Sequence, residues 1–364
     1  MSSLFSSFHL KTVRLRNRIV ASPMCQYMAR DGHLTDWHQS HYAGLARGGA
    51  GLVVVEATAV SAVGRITPGD AGLWSDTQVA GFAQVARSIK SAGAVAGIQL
   101  GHAGRKAGCT PPWEGGHPLA SDDPLGWQPV APSAVPYMAG VPHMPVEMSA
   151  TDIQRVRQDF ADAAARAAAA GFEWLELHFA HGFLAQTFLS RKANLRSDEY
   201  GGSLENRARF LLEVVDAVKR VWPSSLPLTV RLGVVEFDDD AEGSFQESVT
   251  VLRWLKQRGL DLVDVGLALT TPEEKTPWGP NFMVPWAVRI KQDTGLPVAT
   301  SWMITDPVEA DAFIRDGKLD LVMFARTLLA NPHWPYEAAS ALGIKEPQDV
   351  LPTPYAYWLK NWSR

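Results

Sequence analysis

The stretch HFAHGFLAQTFLS sets His178 and His181 three residues apart, with Phe183 two positions further on. Two imidazoles at that spacing have two main chemical uses. As a metal pair they lack a further histidine and carboxylate cluster at ligand spacing. As neutral donors converging on one point they suit an oxygen that gains negative charge, such as an enone carbonyl or a nitro group. A serine nucleophile elbow is absent. A histidine at the end of a strand is also often a satisfied structural residue, and His102 is a third imidazole in a comparable place.

The elements that must hold these groups are legible as short, β-branched apolar runs. They cover 17–23, 51–60, 94–102, 173–179, 227–233, 261–268, 296–302 and 320–326. Their near-continuous hydrophobicity is that of strands buried on both faces. Amphipathic segments alternate with them, at about 36–47, 77–92, 151–170, 203–221, 245–258, 282–293, 306–316 and 334–341. Ile153, Val156 and Phe160 share one face of the third, which stops at Gly171; Phe210, Val214, Val218 and Val221 share one face of the fourth, after Ser203 as N-cap. Eight strands alternating with eight helices predict an α/β fold, a single (β/α)8 TIM barrel. A doubly wound open sheet would want a glycine-rich turn after its first strand, and SPMCQY follows instead. GLARGGAG at 44–51 precedes a strand, the wrong order for a dinucleotide fingerprint.

Residues 102–148 show no convincing element, only many Pro, Gly and Trp, and read as a capping loop after strand 3. The chain therefore reads as one domain over 1–364, with this insertion and a C-terminal arm over about 345–364.

Chemistry in such a barrel sits at the C-terminal strand ends. Those ends carry Pro23, Met24, Cys25 and Tyr27; Ala57; Gln99 and His102; His178 and His181; Arg231; Ser301 and Trp302; Ala325 and Arg326. Arg231 in an apolar strand is expensive unless paired, and it suits the charge that develops at N1 and O2 of a reduced flavin. Arg326, near a helix start, suits a phosphate, or equally caps the barrel. Cys25 alone reads as a small buried hydrophobe, and Trp358 alone as packing.

Composition narrows the classes. Of 364 residues 46% are hydrophobic and 20% charged, with 34 basic and 38 acidic residues for a net charge of −4. That balance points away from nucleic-acid and membrane partners. The N-terminus lacks a basic n-region, and Cys25 and Cys109 are the sole cysteines. The expected setting is a reducing cytoplasm without a disulfide framework.

MCQY at 24–27, QLGHAGRK at 99–106, HFAHGFLAQTFLS at 178–190, NLRSDEYGGSLENRARF at 194–210 and ARTLLANP at 325–332 resemble the Old Yellow Enzyme family of FMN-dependent ene reductases. The similarity spans essentially the whole chain. Cys25, Trp302 and Trp358 make it most similar to the cysteine-containing, xenobiotic reductase A-like branch. The resemblance implies non-covalent FMN, with NADPH or NADH as reductant, and a ping-pong cycle passing hydride from flavin N5 to an activated alkene. Pro23, Met24 and Ala57 would contact the flavin through backbone, Gln99 its pyrimidine edge, and Arg231 its N1 and O2. Cys25 would tune its potential, while Ser301, Ala325 and Arg326 hold the phosphate region. His178 and His181 would bind the substrate oxygen. Tyr27, Trp302, Trp358 and Trp127 would shape the pocket with Phe183. The C-terminal segment would reach toward a neighbouring subunit, so a homodimer is expected. A related iron–sulfur class, the 2,4-dienoyl-CoA reductases, needs four cysteines for its cluster and is excluded here.

Two departures stand out. The family has a tyrosine where this chain has Phe183, and that tyrosine donates the proton to the α-carbon. Phe183 has no O–H, so the expected replacement is Tyr27 or water. A shift toward nitro compounds or nitrate esters, or toward ketone desaturation, is the alternative outcome. The family also has glycine where this chain has Ala325, whose methyl group would crowd the phosphate if the backbone there has φ > 0. A non-redox barrel binding a phosphorylated ligand through Arg326 is a further alternative.

Overall fold

The computed structural model describes residues 2–142 and 144–362. Eight parallel strands close into a barrel: β1 Ile19–Ala21, β2 Leu52–Ala59, β3 Val95–Gly101, β4 Trp174–Phe179, β5 Leu228–Gly233, β6 Leu262–Gly266, β7 Val298–Thr300 and β8 Leu321–Phe324. They pair in sequence order, and β8 pairs with β1 to close the ring. The expected α/β barrel is the observed fold. The strands are shorter than the apolar runs: six runs continue past the strand into the loop that carries the strand-end residues, while those of β4 and β5 end with their strands.

The helices are α1 Asp36–Arg47, α2 Val79–Ser91, α3 Ala150–Ala169, α4 Leu184–Leu189, α5 Leu204–Lys219, α6 Ala241–Gln257, α7 Val284–Thr294, α8 Pro307–Arg315, α9 Arg326–Ala330, α10 Trp334–Ala341 and α11 Thr353–Leu359. In α3, Ser149 Oγ accepts from Asp152 N–H, and Ile153, Val156 and Phe160 are buried against the barrel. Truncating Phe160 to alanine there costs about 3–5 kcal/mol. Gly171 follows with φ +86, which ends the helix as its sequence predicts. Ser203 likewise caps α5 through Asn206 N–H, and Phe210, Val214 and Val218 are buried. Val221 lies beyond the end of α5 and is exposed, so the expected apolar stripe is one residue too long.

A hairpin at the N-terminus, Phe8–Leu10 with Val13–Leu15, covers the end of the barrel away from the strand C-termini. Its Phe8, Val13 and Leu15 join Val20, Leu52 and Leu321 in a small apolar cluster separate from the main core.

Residues 102–148 hold more structure than expected: 3-10 turns at Gly104–Lys106 and Pro112–Glu114, and Val130–Ala131 paired parallel with Val146–Glu147. Side-chain donors fasten this cap to the barrel. Arg196 Nη1 donates to Pro132 O at 2.8 Å and Met148 O at 2.7 Å; Trp127 Nε1 donates to Val63 O at 2.9 Å. His143 in the cap, and Ser363 and Arg364 of the arm, lie outside the described residues. Among the described residues no helix is long and apolar enough to cross a membrane.

Candidate active site

The loop after β1 is aimed by a bulge. The β2–β3 register shifts between Val55 and Ala57, which turns the buried Glu56 toward α1. There Tyr42 Oη–H donates to Glu56 Oε1 at 2.9 Å, and Gln26 N–H donates to Oε2 at 2.8 Å. The segment Pro23–Tyr27 is thus tied to the barrel wall. Tyr27 itself has φ +55, and its carbonyl packs against Gly69, where a Cβ would collide with it.

The His178–His181 turn leaves β4. His181 and Gly182 have φ +60 and +67, and a Cβ on Gly182 would meet Leu269 O. Glycine is required at that second position. His181 N–H donates to Leu267 O at 2.9 Å, and Lys106 Nζ donates to His181 O at 2.7 Å and Leu269 O at 2.8 Å. Burial, ahead of Arg231, holds both imidazoles well below the usual histidine range, so both are neutral.

Their tautomers follow from the hydrogen bonds. Ala180 N–H donates to His178 Nδ1 at 3.2 Å, so Nδ1 carries no proton and Nε2 does. His178 Nε2–H therefore donates to His181 Nδ1, 3.2 Å away. That leaves the proton of His181 on Nε2, which is buried and without a partner. The pair presents one free donor rather than the two converging donors expected from the sequence. His102 does not join them: its Nδ1 accepts from Gly104 N–H at 3.0 Å and its ring packs on Gly64.

Two cavities flank this pair at the strand C-termini. One, of about 1050 Å³, is lined by Pro23, Arg231, Ser301, Trp302, Ala325 and Arg326, with Ser22 and Met303. The other, of about 880 Å³, lies under the cap, with Tyr27, Lys106, Cys109, Tyr137 and Phe183 in its wall. The His181 ring is 5.6 Å from Trp302 on the first side, and the His178 ring 4.7 Å from Phe183 on the second. Cys25 and Tyr27 share a hydrogen bond. Burial first, then Asp70 and Glu56, pushes the Cys25 thiol up, and burial followed by Cys25 does the same to the Tyr27 hydroxyl.

In the first cavity Arg231 Nη2 donates to Ser301 Oγ at 3.2 Å. Trp302 Nε1 and Arg231 Nε are buried donors without a hydrogen-bond partner. Ala325 has φ −111, so its methyl group carries no left-handed strain. Gln99, in register with Ala57, gives its amide nitrogen to Glu176 Oε1 at 2.7 Å. A cavity walled by Arg231, Arg326, Ser301 and the unpartnered Trp302 N–H is rich in donors and fits an oxygen-rich ring system carrying a phosphate.

The residues expected at the site divide. Pro23, Arg231, Ser301, Trp302, Ala325 and Arg326 come together, and Tyr27 meets Phe183 in the second cavity. Trp358 does not reach either cavity of its own chain: it is 77% exposed on α11, against Tyr357 at 5.2 Å. The pocket-shaping role expected of it is therefore not met within one chain, because α11 buries none of its residues. Trp127 lies beside Arg65, 4.7 Å from its ring centroid. Lys106, Glu176 and Asp264 escaped the sequence reading. Each is a charged residue in an apolar or glycine-rich run, the same signal that marks Arg231. Among the described residues no group of His, Cys, Asp and Glu could hold a metal ion.

Comparison with known proteins gives a consistent answer. The model of the NADH:flavin oxidoreductase / NADH oxidase family matches residues 3–344. NADPH dehydrogenase of Geobacillus thermodenitrificans (strain NG80-2) is 41% identical over 344 residues, covering 94% of this chain and 95% of the relative. NADPH dehydrogenase of Bacillus subtilis (strain 168) is 39% identical over 349 residues, covering 95% and 97%. Among solved structures, morphinone reductase in complex with tetrahydroNAD superposes with TM-score 0.78 at 29% identity, covering 95% of this chain and 93% of that one. The Old Yellow Enzyme resemblance read from the motifs holds, and with it FMN and a nicotinamide reductant. The chain belongs to the NADH:flavin oxidoreductase / NADH oxidase family.

Proposed function

We propose that this chain is an ene reductase of the cysteine-containing, xenobiotic reductase A-like branch, acting on α,β-unsaturated carbonyl compounds. The observation that carries this reading is the unpartnered His181 Nε2–H, oriented by His178, on a ring 5.6 Å from Trp302 of the larger cavity. A single oriented donor in a buried site suits a carbonyl oxygen that gains charge as hydride arrives at the β-carbon.

FMN, when bound, supplies the two-electron relay between NAD(P)H and the alkene. Pro23, Met24 and Ala57 would hold it through backbone, Gln99 at the pyrimidine edge, Arg231 by N1 and O2, and Ser301, Trp302, Ala325 and Arg326 around the phosphate region. His178 fixes the tautomer of His181, and His181 binds the substrate oxygen. Phe183 gives the wall an apolar ring where a proton donor is expected. Tyr27 lines the same cavity as Phe183, so Tyr27, directly or through water, delivers the proton to the α-carbon. Its raised pKa keeps that proton in place until a strongly basic carbon appears. Cys25, neutral beside it, adjusts the surroundings of the ring.

The chain reads as one domain, with residues 102–148 as cap. Its exposed arm, with Trp358 at the tip, suits contact with a second copy, so the working unit is a homodimer. Two free cysteines fit a cytoplasmic setting. Phe183 also favours a second reading, the reduction of nitro compounds or nitrate esters, which needs no proton at an α-carbon.

The test is anaerobic turnover by the FMN-loaded protein with NADPH, comparing 2-cyclohexenone with a nitroaromatic. Cyclohexanone formed in step with NADPH consumption supports the first reading. Turnover of the nitro compound alone replaces it with the second.

A further inference from the structure

Asp264 on β6 is in register with Arg231 on β5, which in turn is in register with His178 on β4. Its carboxyl is fully buried, with Oδ2 3.0 Å from Arg231 Nε. Yet neither oxygen accepts a hydrogen bond, and Arg231 Nε donates none. The contact is ionic, without directed donors. Glu176 on β4 places a second fully buried carboxyl nearby, stabilised by Gln99 Nε2 at 2.7 Å. Two carboxyls therefore share one guanidinium inside the barrel. From β7, Ala299 stands opposite Asp264 and brings no charge. The His178 and His181 imidazoles on the far side of Arg231 are neutral.

A buried carboxylate without hydrogen-bond donors stays ionised only through its counter-charge. Arg231 is that counter-charge, and it also lines the larger cavity. When a second anion forms on the cavity side, one guanidinium must serve both. The carboxylate that loses its share then gains proton affinity.

We propose that Asp264 is the counter-ion of Arg231 in the oxidised enzyme and takes up a solvent proton when negative charge develops on the reduced flavin. This rests on the reading of Arg231 as the group facing FMN. The balance closes. Hydride from the nicotinamide brings two electrons, and one negative charge appears beside Arg231. One proton from solvent converts the Asp264 carboxylate to a carboxyl, and the net charge of the site is unchanged. When the hydride leaves for the alkene, Asp264 returns its proton to solvent. Asp264 acts through Arg231 and is a positioning residue.

The electrostatics of the pair agree with this cycle. Burial, opposed by Arg231, pushes Asp264 up to about 6, and burial followed by Asp264 pushes Glu176 up to about 8. Both carboxyls are thus held above the usual carboxylate range, and they titrate as a pair.

The experiment is infrared difference spectroscopy, reduced minus oxidised, on the FMN-loaded enzyme at pH 7, with midpoint potentials followed across pH 6–8. We expect a protonated-carboxyl C=O band that appears on reduction and shifts in D2O. It is absent in Asp264→Asn and present in Glu176→Gln. The wild-type potential falls more steeply with pH than that of Asp264→Asn, by one proton per two electrons, about 30 mV per tenfold change in proton activity. Absence of the band in wild type overturns the proposal, whether or not Asp264→Asn folds. A band lost in Glu176→Gln and kept in Asp264→Asn overturns it too. An unchanged FMN potential in Arg231→Gln sinks the placement of Arg231 and the proposal together. A changed potential there with no wild-type band sinks the proposal alone.

Discussion

His178 Nε2 donates to His181 Nδ1 across 3.2 Å, and the Ala180 N–H on His178 Nδ1 fixes that direction. Of the two imidazoles, only His181 has a proton left to offer a ligand. The two histidines are therefore unequal. His181→Ala removes the donor itself, and kcat/KM for an enone should fall by about 10²–10³-fold. His178→Ala removes the anchor that sets the tautomer, so its loss should be smaller, with a looser KM. Steady-state kinetics on 2-cyclohexenone check this. Equal losses in the two variants would mean that both rings bind the substrate.

Phe183→Tyr restores a hydroxyl at the wall of a cavity of about 880 Å³, where there is room for it. If a proton donor is the missing piece, the alkene half-reaction should speed up by about 10²-fold, the lower end of general acid catalysis. Reduction by NADPH should be unchanged. Stopped-flow measurement of each half-reaction separates the two.

Tyr27→Phe should slow that same alkene step by about 10-fold or more, and Phe183→Tyr in the same chain should recover it. The rescue is the informative arm, because a packing defect at position 27 would not be cured by a hydroxyl at 183. An undiminished rate in Tyr27→Phe assigns the proton to water.

Glu176 gives a pH signature in stability. Its carboxyl is pushed from the ordinary glutamate value of 4.5 up to about 8, by burial first and Asp264 second. With the folded pKa above the unfolded one, the folded state binds more protons between those values. The favourable term is fully present below about pH 4.5 and is lost as pH rises through about 8. Denaturant unfolding of the FMN-free protein should show wild type losing stability relative to Glu176→Gln across that window. A parallel pH profile for the two proteins would contradict the raised pKa.

Trp358 is 77% exposed, so Trp358→Ala should change the stability of the single chain by less than about 0.5 kcal/mol. In a homodimer whose arm reaches the neighbouring pocket, KM for the enone should rise at the same time. Sedimentation and kinetics on one preparation read both.

The barrel was legible because buried strands leave continuous β-branched runs, and the sequence marks the end of α3 at Gly171 and the start of α5 at Ser203. The N-terminal hairpin was not, since Phe8–Leu10 and Val13–Leu15 are too short to show a period of two. Helix α4 was hidden for the opposite reason: all six of its residues are buried, so it has no polar face. At the site, the strand-end residues around Arg231 were readable from topology. The His178–His181 hydrogen bond was not, because it depends on the left-handed turn at His181. Asp264 was readable in principle, as a carboxyl inside DLVDVG, but nothing local tells that its partner is Arg231 one strand away.

The most direct test of the central claim isolates the second half-reaction. The FMN-loaded protein is reduced with one equivalent of NADPH without oxygen, mixed with 2-cyclohexenone, and followed by flavin absorbance. Rapid return of the oxidised spectrum, with one equivalent of cyclohexanone, is the expected result. A reduced spectrum that persists until a nitro compound or oxygen is added would contradict it.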